Sequence, residues 1–332
     1  MSAAIEALEV AKAYTGTSAL RGLNVRVEHG ELFGLVGPDG AGKTTFLRIL
    51  AGLLSMSDGT VRIDGIDVSR DPALVKQRIG YMSQRFSLAE TLTVAENLLY
   101  VSEVWHVPRG ERRKRVTRLL EFSRLGPFQD RLTRNLSGGM KQKLSLCACL
   151  VHEPRILLLD EPTIGVDPIS RRDFWLILYD LLQEGATILL STPYMDEAER
   201  CARVGFLLDG HLIACGNPAA LRAELGTVIL DLRCVDSRLA RRRLHREPVL
   251  QEAVTFGEHL HVTIPRHGFD VPAAVEAVRA AGVEIRDWRI REPSLEDVFL
   301  AYTRRRSETA APDTPPAVGV PPRSPLPQGE LA

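Results

Sequence analysis

The sequence predicts an α/β protein with a mixed sheet at its core, antiparallel strands at the N-terminus, a helical subdomain and a small C-terminal α+β appendage. The apolar segments "LFGLVG" and "RILLLDEP" are typical of strands that a parallel sheet buries on both faces. A helical segment, "RRDFWLILYDLLQE", stands between the second of these strands and a third one, "ATILLST". This alternation indicates a parallel sheet with helical crossovers.

The first domain is expected to span residues 1–225. Residues 1–30 alternate apolar and polar side chains, which predicts antiparallel strands. The strand "LFGLVG" leads through a glycine-rich turn into the helical run "KTTFLRILAGLL", and this order begins an α/β unit. Residues 85–150 place apolar side chains three and four apart, so we predict mostly helices there, with a helical subdomain over about 85–140.

A second, smaller α+β domain is expected over residues 226–305. "VILDLRC", "HLHVTIP" and "VEIRDWRI" read as strands, and "VPAAVEAVRAAG" reads as a helix between the last two. Ser294 and Asp297 are spaced to cap a final helix, with Asp in place of the usual Glu of a capping box. Residues 306–332 are rich in proline and have almost no large apolar side chains, so we expect a disordered tail there.

The composition excludes several classes of protein. Lys+Arg 42 balances Asp+Glu 42, so no net field attracts the chain to nucleic acid, and we expect no nucleic-acid partner. No segment approaches the roughly 18 continuous apolar residues of a spanning helix, so the sequence predicts no membrane span. The five cysteines are an odd number without a Cys-x-x-Cys pair, which favours reduced thiols over disulfides or a zinc site.

The motif "GPDGAGKTT" fits G-x-x-x-x-G-K-[ST] and predicts a phosphate-binding loop. Its glycines let the backbone curl so that N–H groups converge on phosphate oxygens, and the following helix points its positive end at the same anion. Lys43 offers a cation to the β- and γ-phosphates of ATP, and the Thr44 hydroxyl can ligate Mg²⁺. ATP and Mg²⁺ are therefore the expected cofactors. The predicted nucleotide-binding residues of this loop are Gly37, Pro38, Asp39, Gly40, Ala41, Gly42, Lys43, Thr44 and Thr45.

Two acids follow the second apolar strand, in "ILLLDEP". Asp160 stands where this strand leaves the core, and its carboxylate can hold Mg²⁺ through water. Glu161 comes next and can polarise an attacking water. A strand that simply ends in two solvated acids would look the same, but the phosphate-binding loop upstream favours the catalytic interpretation.

The segment "LSGGMKQK" narrows the class of ATPase. It resembles the signature of the ATP-binding cassette (ABC) family, which begins L-S-G-G, and it precedes "LLLDEP" as it does in that family. The resemblance covers residues 5 to about 215. It implies that Ser137, Gly138 and Gly139 cap the γ-phosphate of ATP held by another subunit. A hydroxyl, two close backbone N–H groups and a helix N-terminus suit that role.

The resemblance implies further site residues. Tyr14 matches the aromatic side chain that stacks on adenine. Gln84 matches the glutamine that reaches Mg²⁺ and the attacking water, and Asp167 matches a loop that crosses the interface between two subunits. The resemblance thus gives Glu161, Gln84 and Lys43 as catalytic residues and Thr44, Gln84 and Asp160 as Mg²⁺ ligands.

Pro193 departs from the family pattern, which has a histidine after "ST" that contacts the γ-phosphate. Proline has neither a side-chain donor nor a backbone N–H. Tyr194 carries a phenol, but adjacent residues point in different directions. Either the histidine is dispensable here, or the site on this chain hydrolyses ATP slowly and serves in an asymmetric heterodimer.

Three functions remain open on these residues. The first is an ATP-binding subunit of an ABC exporter of drug-like or lipophilic compounds, because "GPDGAGKTT", "YMDEAE" and "SLEDVFL" resemble that branch. Pro193 and "SQRFSL" resemble the first cassette of its fused-tandem members. It implies a transmembrane permease, a second ABC ATPase subunit and a place on the cytoplasmic face of the membrane. The second is a regulatory ATP-binding subunit with negligible turnover. The third is a soluble, non-transport ABC ATPase, which the short stretch between Gln84 and Ser137 disfavours.

Overall fold

A computed structural model describes residues 3–244, 253–267, 270–280 and 282–309 of the chain. The strands are β1 (Ile5–Tyr14), β2 (Thr17–Val27), β3 (Leu32–Val36), β4 (Asp58–Ile63), β5 (Ile66–Asp67), β6 (Ile79–Met82), β7 (Ile156–Asp160), β8 (Thr187–Thr192), β9 (Arg203–Leu208), β10 (His211–Gly216), β11 (Thr227–Cys234), β12 (Ala253–Phe256), β13 (His259–Pro265) and β14 (Ile285–Arg291). The helices are α1 (Lys43–Leu50), α2 (Pro72–Arg78), α3 (Val94–Val104), α4 (Arg109–Phe122), α5 (Gly138–Leu150), α6 (Pro168–Gln183), α7 (Met195–Ala198), α8 (Pro218–Glu224), α9 (Ser237–Leu244), α10 (Val271–Ala280) and α11 (Leu295–Thr309).

The N-terminal sheet has four antiparallel strands in the order β2-β1-β4-β5. Strands β1 and β2 confirm the antiparallel prediction for the first 30 residues, whereas β4 and β5 were not predicted. Helix α1 packs between this sheet and the central sheet, where Phe46 and Leu47 join one buried cluster with Val61 and Leu158. The phosphate-binding loop therefore leads into a helix that is fixed on both sides.

The central sheet has six strands in the order β10-β9-β3-β8-β7-β6. All neighbours are parallel except β10 and β9, which are antiparallel. The three strands predicted from apolar segments, β3, β7 and β8, are buried at every position. Val36 pairs with Thr192, and Asp160 pairs with Ser191. The loops after these three strands therefore leave the same edge of the sheet. In α/β sheets, ligands bind at this edge, beside the carboxyl ends of the strands.

Helices α3, α4 and α5 follow one another in the segment predicted to be helical, and they share a buried cluster of their own. They confirm the helical prediction for residues 85–150. A capping box begins α3: the Glu96 N–H donates to Thr93 Oγ1 at 3.2 Å, and the Thr93 N–H donates to Glu96 Oε2 at 2.8 Å. This reciprocal pair satisfies two backbone donors that the helix leaves open.

The C-terminal sheet has four antiparallel strands in the order β12-β13-β11-β14. The three predicted strands and the predicted helix α10 are present, and β12 is an addition. Helix α11 begins with the predicted capping box, because the Asp297 N–H donates to Ser294 Oγ at 3.2 Å and the Ser294 N–H donates to Asp297 Oδ2 at 2.8 Å. The helix packs on the central sheet, where Phe299 meets Phe206 edge to face at 5.4 Å.

The prediction of a disordered tail from residue 306 is wrong for its first residues. Helix α11 continues to Thr309, because "RRRSET" contains no proline or glycine and the first proline beyond it is Pro312. The rest of the predicted tail, residues 310–332, lies outside the described residues. Within the described part of the chain, no helix combines the length and the apolar character needed to cross a membrane.

Candidate nucleotide-binding site

The predicted phosphate-binding loop joins the end of β3 to the start of α1. Gly40 and Gly42 have φ values of 80° and 111°, a region that residues with a Cβ rarely adopt. A Cβ added to Gly37 would lie 2.2 Å from the Leu207 carbonyl oxygen. Glycine is thus required at these positions by the conformation and by the close approach of neighbouring backbone. The curled loop leaves backbone N–H groups available for an anion at the start of α1.

Lys43 is almost completely buried, with 4% of its side chain exposed. Its Nζ donates to the Gly37 carbonyl at 2.7 Å and to the Pro38 carbonyl at 3.0 Å. It also lies 3.1 Å from Glu161 Oε1. The loop's own carbonyls and one catalytic candidate therefore hold the ammonium group at the mouth of the loop.

Asp160 is fully buried at the end of β7. Its Oδ1 accepts hydrogen bonds from Thr44 Oγ1 at 3.0 Å and from Ser191 Oγ at 2.8 Å. The Tyr81 hydroxyl donates to Oδ2 at 3.5 Å, and burial together with the Asp160 charge raises the pKa of Tyr81, so the phenol stays protonated. The two predicted Mg²⁺ ligands from this region are thus in contact.

Glu161 has a left-handed backbone with φ of 50°, which is uncommon for a residue other than glycine. Its N–H donates to Ser191 Oγ at 3.0 Å, and Gln84 Nε2 donates to its Oε2 at 2.8 Å. Strained backbone of this kind clusters at functional sites. The conformation turns the Glu161 carboxylate toward Gln84 and Lys43, so these three residues lie together.

One cavity of about 270 Å³ brings together eight of the predicted residues. Oxygen atoms of Thr44, Asp160 and Gln84 lie at or behind it, and hard oxygen donors of this kind fit Mg²⁺. Of the predicted loop residues, Gly37, Pro38 and Ala41 do not line the cavity, although the Pro38 carbonyl binds Lys43 and also accepts from the Ala41 N–H at 3.2 Å. The lining residues are Ala19, Asp39, Gly40, Gly42, Lys43, Thr44, Thr45, Gln84 and Glu161.

Tyr14 stands apart from this cavity, at the end of β1. Its side chain is 47% exposed, and Lys12 Nζ lies 5.3 Å from its ring centre. The ring is therefore free to stack on a planar ligand, but no contact in the structure ties it to the loop. Its role against adenine stays a prediction.

The signature residues lie at the start of α5, away from the cavity of their own chain. Ser137 Oγ accepts from the Met140 N–H at 3.3 Å and caps the helix, while a Cβ on Gly139 would meet Ser170 Cβ at 2.3 Å. Asp167 caps the neighbouring α6 through the N–H groups of Ile169 and Ser170, and its hydrogen bonds with Ser170 lower the pKa of Asp167. Ser137, Gly138, Gly139 and Asp167 therefore form one surface, but not one site with Lys43.

Comparison with known proteins decides the family. The family model described as "ABC transporter" matches residues 20–164. The daunorubicin/doxorubicin resistance ATP-binding protein DrrA of Streptomyces peucetius is 36% identical over 310 residues, which cover 90% of this chain and 92% of that protein. The chain belongs to the ABC transporter family. The predicted resemblance and the predicted class of ATPase are thereby confirmed.

Two further relatives of this ABC chain differ in coverage. The probable multidrug ABC transporter ATP-binding protein YbhF of Escherichia coli (strain K12) is 49% identical over 285 residues, which cover 85% of this chain. The matched part is 48% of YbhF, so this chain spans about half the length of that relative. A solved dimeric ATP-binding cassette in a post-hydrolysis state with ADP and Pi superimposes with a TM-score of 0.60 and 27% identity, covering 64% of this chain and 98% of that one. The fold prediction is confirmed.

The Pro193 position of this ABC chain lies directly beside the phosphate-binding loop. The Gly37 N–H donates to the Thr192 carbonyl at 3.4 Å, so the residue after Thr192 adjoins the first glycine of the loop. Tyr194 is directed elsewhere: the Arg171 guanidinium lies over its ring at 4.6 Å. Neither Pro193 nor the Tyr194 phenol lines the cavity.

Two features of the ABC site were missed from the sequence. Ser191 holds both Asp160 and the Glu161 N–H; its position at the end of a strand next to "ILLLDEP" is the signal that could have identified it. Glu197 is 1% exposed and accepts hydrogen bonds from Thr163 Oγ1 and from Thr192 Oγ1, the latter at 2.6 Å. Nothing in the spacing of "YMDEAE" indicates which of its acids is buried.

Proposed function

We propose that the chain binds and hydrolyses ATP as the energy-supplying subunit of an ABC exporter, acting on a separate transmembrane subunit. The observation that carries the proposal is the convergence of Lys43, Gln84 and Glu161 on one cavity, with Thr44 and Asp160 in contact beside it. One relative is named as a probable multidrug transporter protein and another as a daunorubicin/doxorubicin resistance protein, and both names support a drug-like or lipophilic cargo. The chain would then be peripheral, on the cytoplasmic face of the membrane.

Each residue has a task that follows from its position. The loop N–H groups bind the phosphates, and Lys43 neutralises their negative charge. Thr44, Asp160 and Gln84 would hold Mg²⁺, which supplies charge stabilisation on the phosphate oxygens. Glu161 accepts a proton from the attacking water, while Gln84 orients its carboxylate. Phosphate competes with Glu161 for Lys43, so ATP binding frees the carboxylate to act as a base.

We further propose that two cassette subunits form each complete site. Ser137, Gly138 and Asp167 lie on a surface that does not reach the cavity of their own chain. A second subunit would therefore present the equivalent surface to the ATP held here. The similarity to a solved dimeric cassette supports this arrangement. We favour an unlike partner, because Pro193 removes a donor from this chain's site and leaves the signature intact.

The site on this chain is proposed to be the slower one of the pair. Pro193 adjoins the loop at the point where a hydrogen-bond donor would stabilise the transition state. The neighbouring Tyr194 packs on Arg171 and not on the loop. Removing one such donor costs about 10²–10³ in turnover in well-studied enzymes. The second candidate function, a regulatory subunit with negligible turnover, rests on the same observation.

The test is the ATPase rate of the purified chain, alone and with its transmembrane and cassette partners. We expect slow turnover alone, an increase of at least about tenfold in Pro193→His, and loss of nucleotide binding in Lys43→Ala. A fast wild-type rate that Pro193→His leaves unchanged contradicts the slow-site proposal. Glu161→Gln in the assembled complex separates the two candidates: transport stops if this site supplies energy and continues if the site is regulatory.

A further inference from the structure

The outer strand of the C-terminal sheet, β14, has one side open for pairing. Among the residues that the structure describes, β14 pairs on one side only, with β11. Five consecutive residues of this strand, 286–290, are exposed. Natural proteins protect long edge strands with charged side chains, proline, a bulge or a covering element, because a bare edge is a template for another strand. The register of β14 against β11 shifts between Asp287 and Ile285, and the stretch from Asp287 to Arg291 is regular. Within the described part of the chain this stretch contains no proline and pairs with no second strand, and its protection is the charge of Asp287 and Arg289.

The apolar side chains of this edge share one face. Trp288 lies opposite Leu232 and Ile290 lies opposite Leu230, and both leucines are buried in the core cluster under α10. Trp288 is nevertheless 39% exposed and Ile290 is 49% exposed. The pair therefore extends the apolar face of the sheet beyond the area that α10 covers.

The backbone groups that point outward are known from the hydrogen bonds. The Val235 N–H donates to the Glu284 carbonyl, which places odd-numbered β11 residues against β14. Beyond the register shift, Asp287, Arg289 and Arg291 lie opposite odd-numbered β11 residues, so the N–H and C=O groups of Trp288 and Ile290 point away from the sheet. In agreement, the Trp288 N–H donates to the side chain of Asp287 at 2.8 Å and not to β11.

The charges on β14 make it complementary to itself. An antiparallel pair of β14 strands centred on Trp288 would place Trp288 opposite Trp288 in a hydrogen-bonded pair, as its outward N–H and C=O require. Asp287 of each strand then lies opposite Arg289 of the other, in the close non-hydrogen-bonded pairs on the opposite face. Arg289 is available for a second carboxylate, because its side chain is 70% exposed although it already pairs with Asp231 at 3.0 Å.

We propose that β14 is a docking surface for the β14 strand of a second copy of this chain. The two C-terminal sheets join into one continuous eight-stranded sheet across a twofold axis at Trp288. Two Asp287–Arg289 pairs set the register on one face, and the two Trp288–Ile290 patches meet on the other. This contact is separate from the nucleotide site and needs no ATP.

The test is sedimentation of the full chain over a concentration series, without nucleotide and with a chelator. We expect a monomer–dimer equilibrium. Asp287→Lys turns two attractive cross-strand pairs into two repulsive ones and should raise the dimer Kd on the order of tenfold or more, and Trp288→Ala should weaken the dimer too. Glu276→Lys is the matched control, because this exposed residue of α10 makes only a surface ion pair with Arg279, and it should leave the dimer unchanged.

The register is tested by oxidation in a Cys215→Ser background, since Cys215 is the exposed cysteine of the described chain. Trp288→Cys lies on the proposed axis, within the roughly 4.4–6.8 Å Cα separation that a disulfide spans, and should cross-link two chains. Arg286→Cys would be separated from its counterpart by about four residues of strand, roughly 13 Å, and should not cross-link.

Three results overturn the proposal: a monomer at every concentration, a dimer that Asp287→Lys leaves unchanged, or equal cross-linking at positions 286 and 288. If the chain is a monomer and its Trp288 fluorescence is protected from quenchers, another segment of the same chain covers β14. The ATPase rate of Asp287→Lys is expected to equal that of the wild type. The dimer proposal and the proposed ATPase function can therefore fail independently of each other.

Discussion

Lys43 and Glu161 form a buried ion pair in which Nζ lies 3.1 Å from Oε1 and each side chain is only 4% exposed. The lysine expected to bind phosphate is thus held by the carboxylate expected to activate water. We predict that Glu161→Gln keeps ATP binding, because the neutral amide competes less with phosphate for Lys43, and lowers turnover by about 10²–10⁴. Nucleotide binding by fluorescence and phosphate release at saturating ATP check the two effects separately.

The matched variant for that prediction is Lys43→Ala. It removes the phosphate-binding cation and leaves the Glu161 charge buried without its partner, so both ATP binding and stability should fall. If Lys43→Ala bound ATP as tightly as the wild type, the loop would not hold phosphate as proposed.

Gly138 and Gly139 adjoin each other at the start of α5, but only Gly139 lacks space for a side chain. A Cβ on Gly139 would meet Ser170 Cβ at 2.3 Å, whereas the nearest atom to a Cβ on Gly138 is the Gly165 carbonyl oxygen at 3.6 Å. We predict that Gly139→Ala lowers the free energy of unfolding by about 1–3 kcal/mol and that Gly138→Ala leaves it nearly unchanged. Urea denaturation of both variants checks this. Equal stability losses would contradict the packing of α5 on α6.

The C-terminal sheet should lose stability as the solution becomes mildly acidic. Burial lowers the pKa of His261 below its ordinary 6.5, the Arg291 charge adds to this effect, and Arg291 donates to its Nδ1 at 2.8 Å. The unfolded chain then binds the proton more tightly than the folded chain. The stabilisation is complete above the ordinary pKa and is lost as the pH falls from there through the folded pKa.

Unfolding by urea between about pH 7 and pH 5 measures this dependence, since ordinary histidine titrates in that range. His261→Gln should reduce the slope of stability with pH. Some slope should remain, because burial also lowers the pKa of His152. The control is His29→Gln, an exposed histidine of the first domain. An unchanged slope in His261→Gln would exclude His261 as its source.

Local patterns predicted the parts of this molecule that depend on local chemistry. Glycine spacing gave the phosphate-binding loop, and apolar runs gave β3, β7 and β8, because these strands are buried on both faces. The capping box at Ser294 was predicted for the same reason, since both partners lie within one turn.

Features that depend on contacts between distant elements were not predicted. Ser191 reaches Asp160 only because β7 and β8 are neighbours in register. Strand β4 pairs with β1, and β5, which has only two residues, pairs with β4.

Glu197 and Asp196 provide the last prediction, because the same arginine contacts both and only one of them is buried. Arg171 lies 3.7 Å from each carboxylate, but the Asp196 side chain is 65% exposed and that of Glu197 only 1% exposed. Glu197→Ala removes the acceptor of the Thr163 and Thr192 hydroxyls. It should lower the free energy of unfolding by about 2–4 kcal/mol, whereas Asp196→Ala should change it by less than about 0.5 kcal/mol. Because Thr192 adjoins Gly37, Glu197→Ala should also weaken ATP binding. Equal effects of the two substitutions on urea denaturation would mean that the buried network does not fix the end of β8.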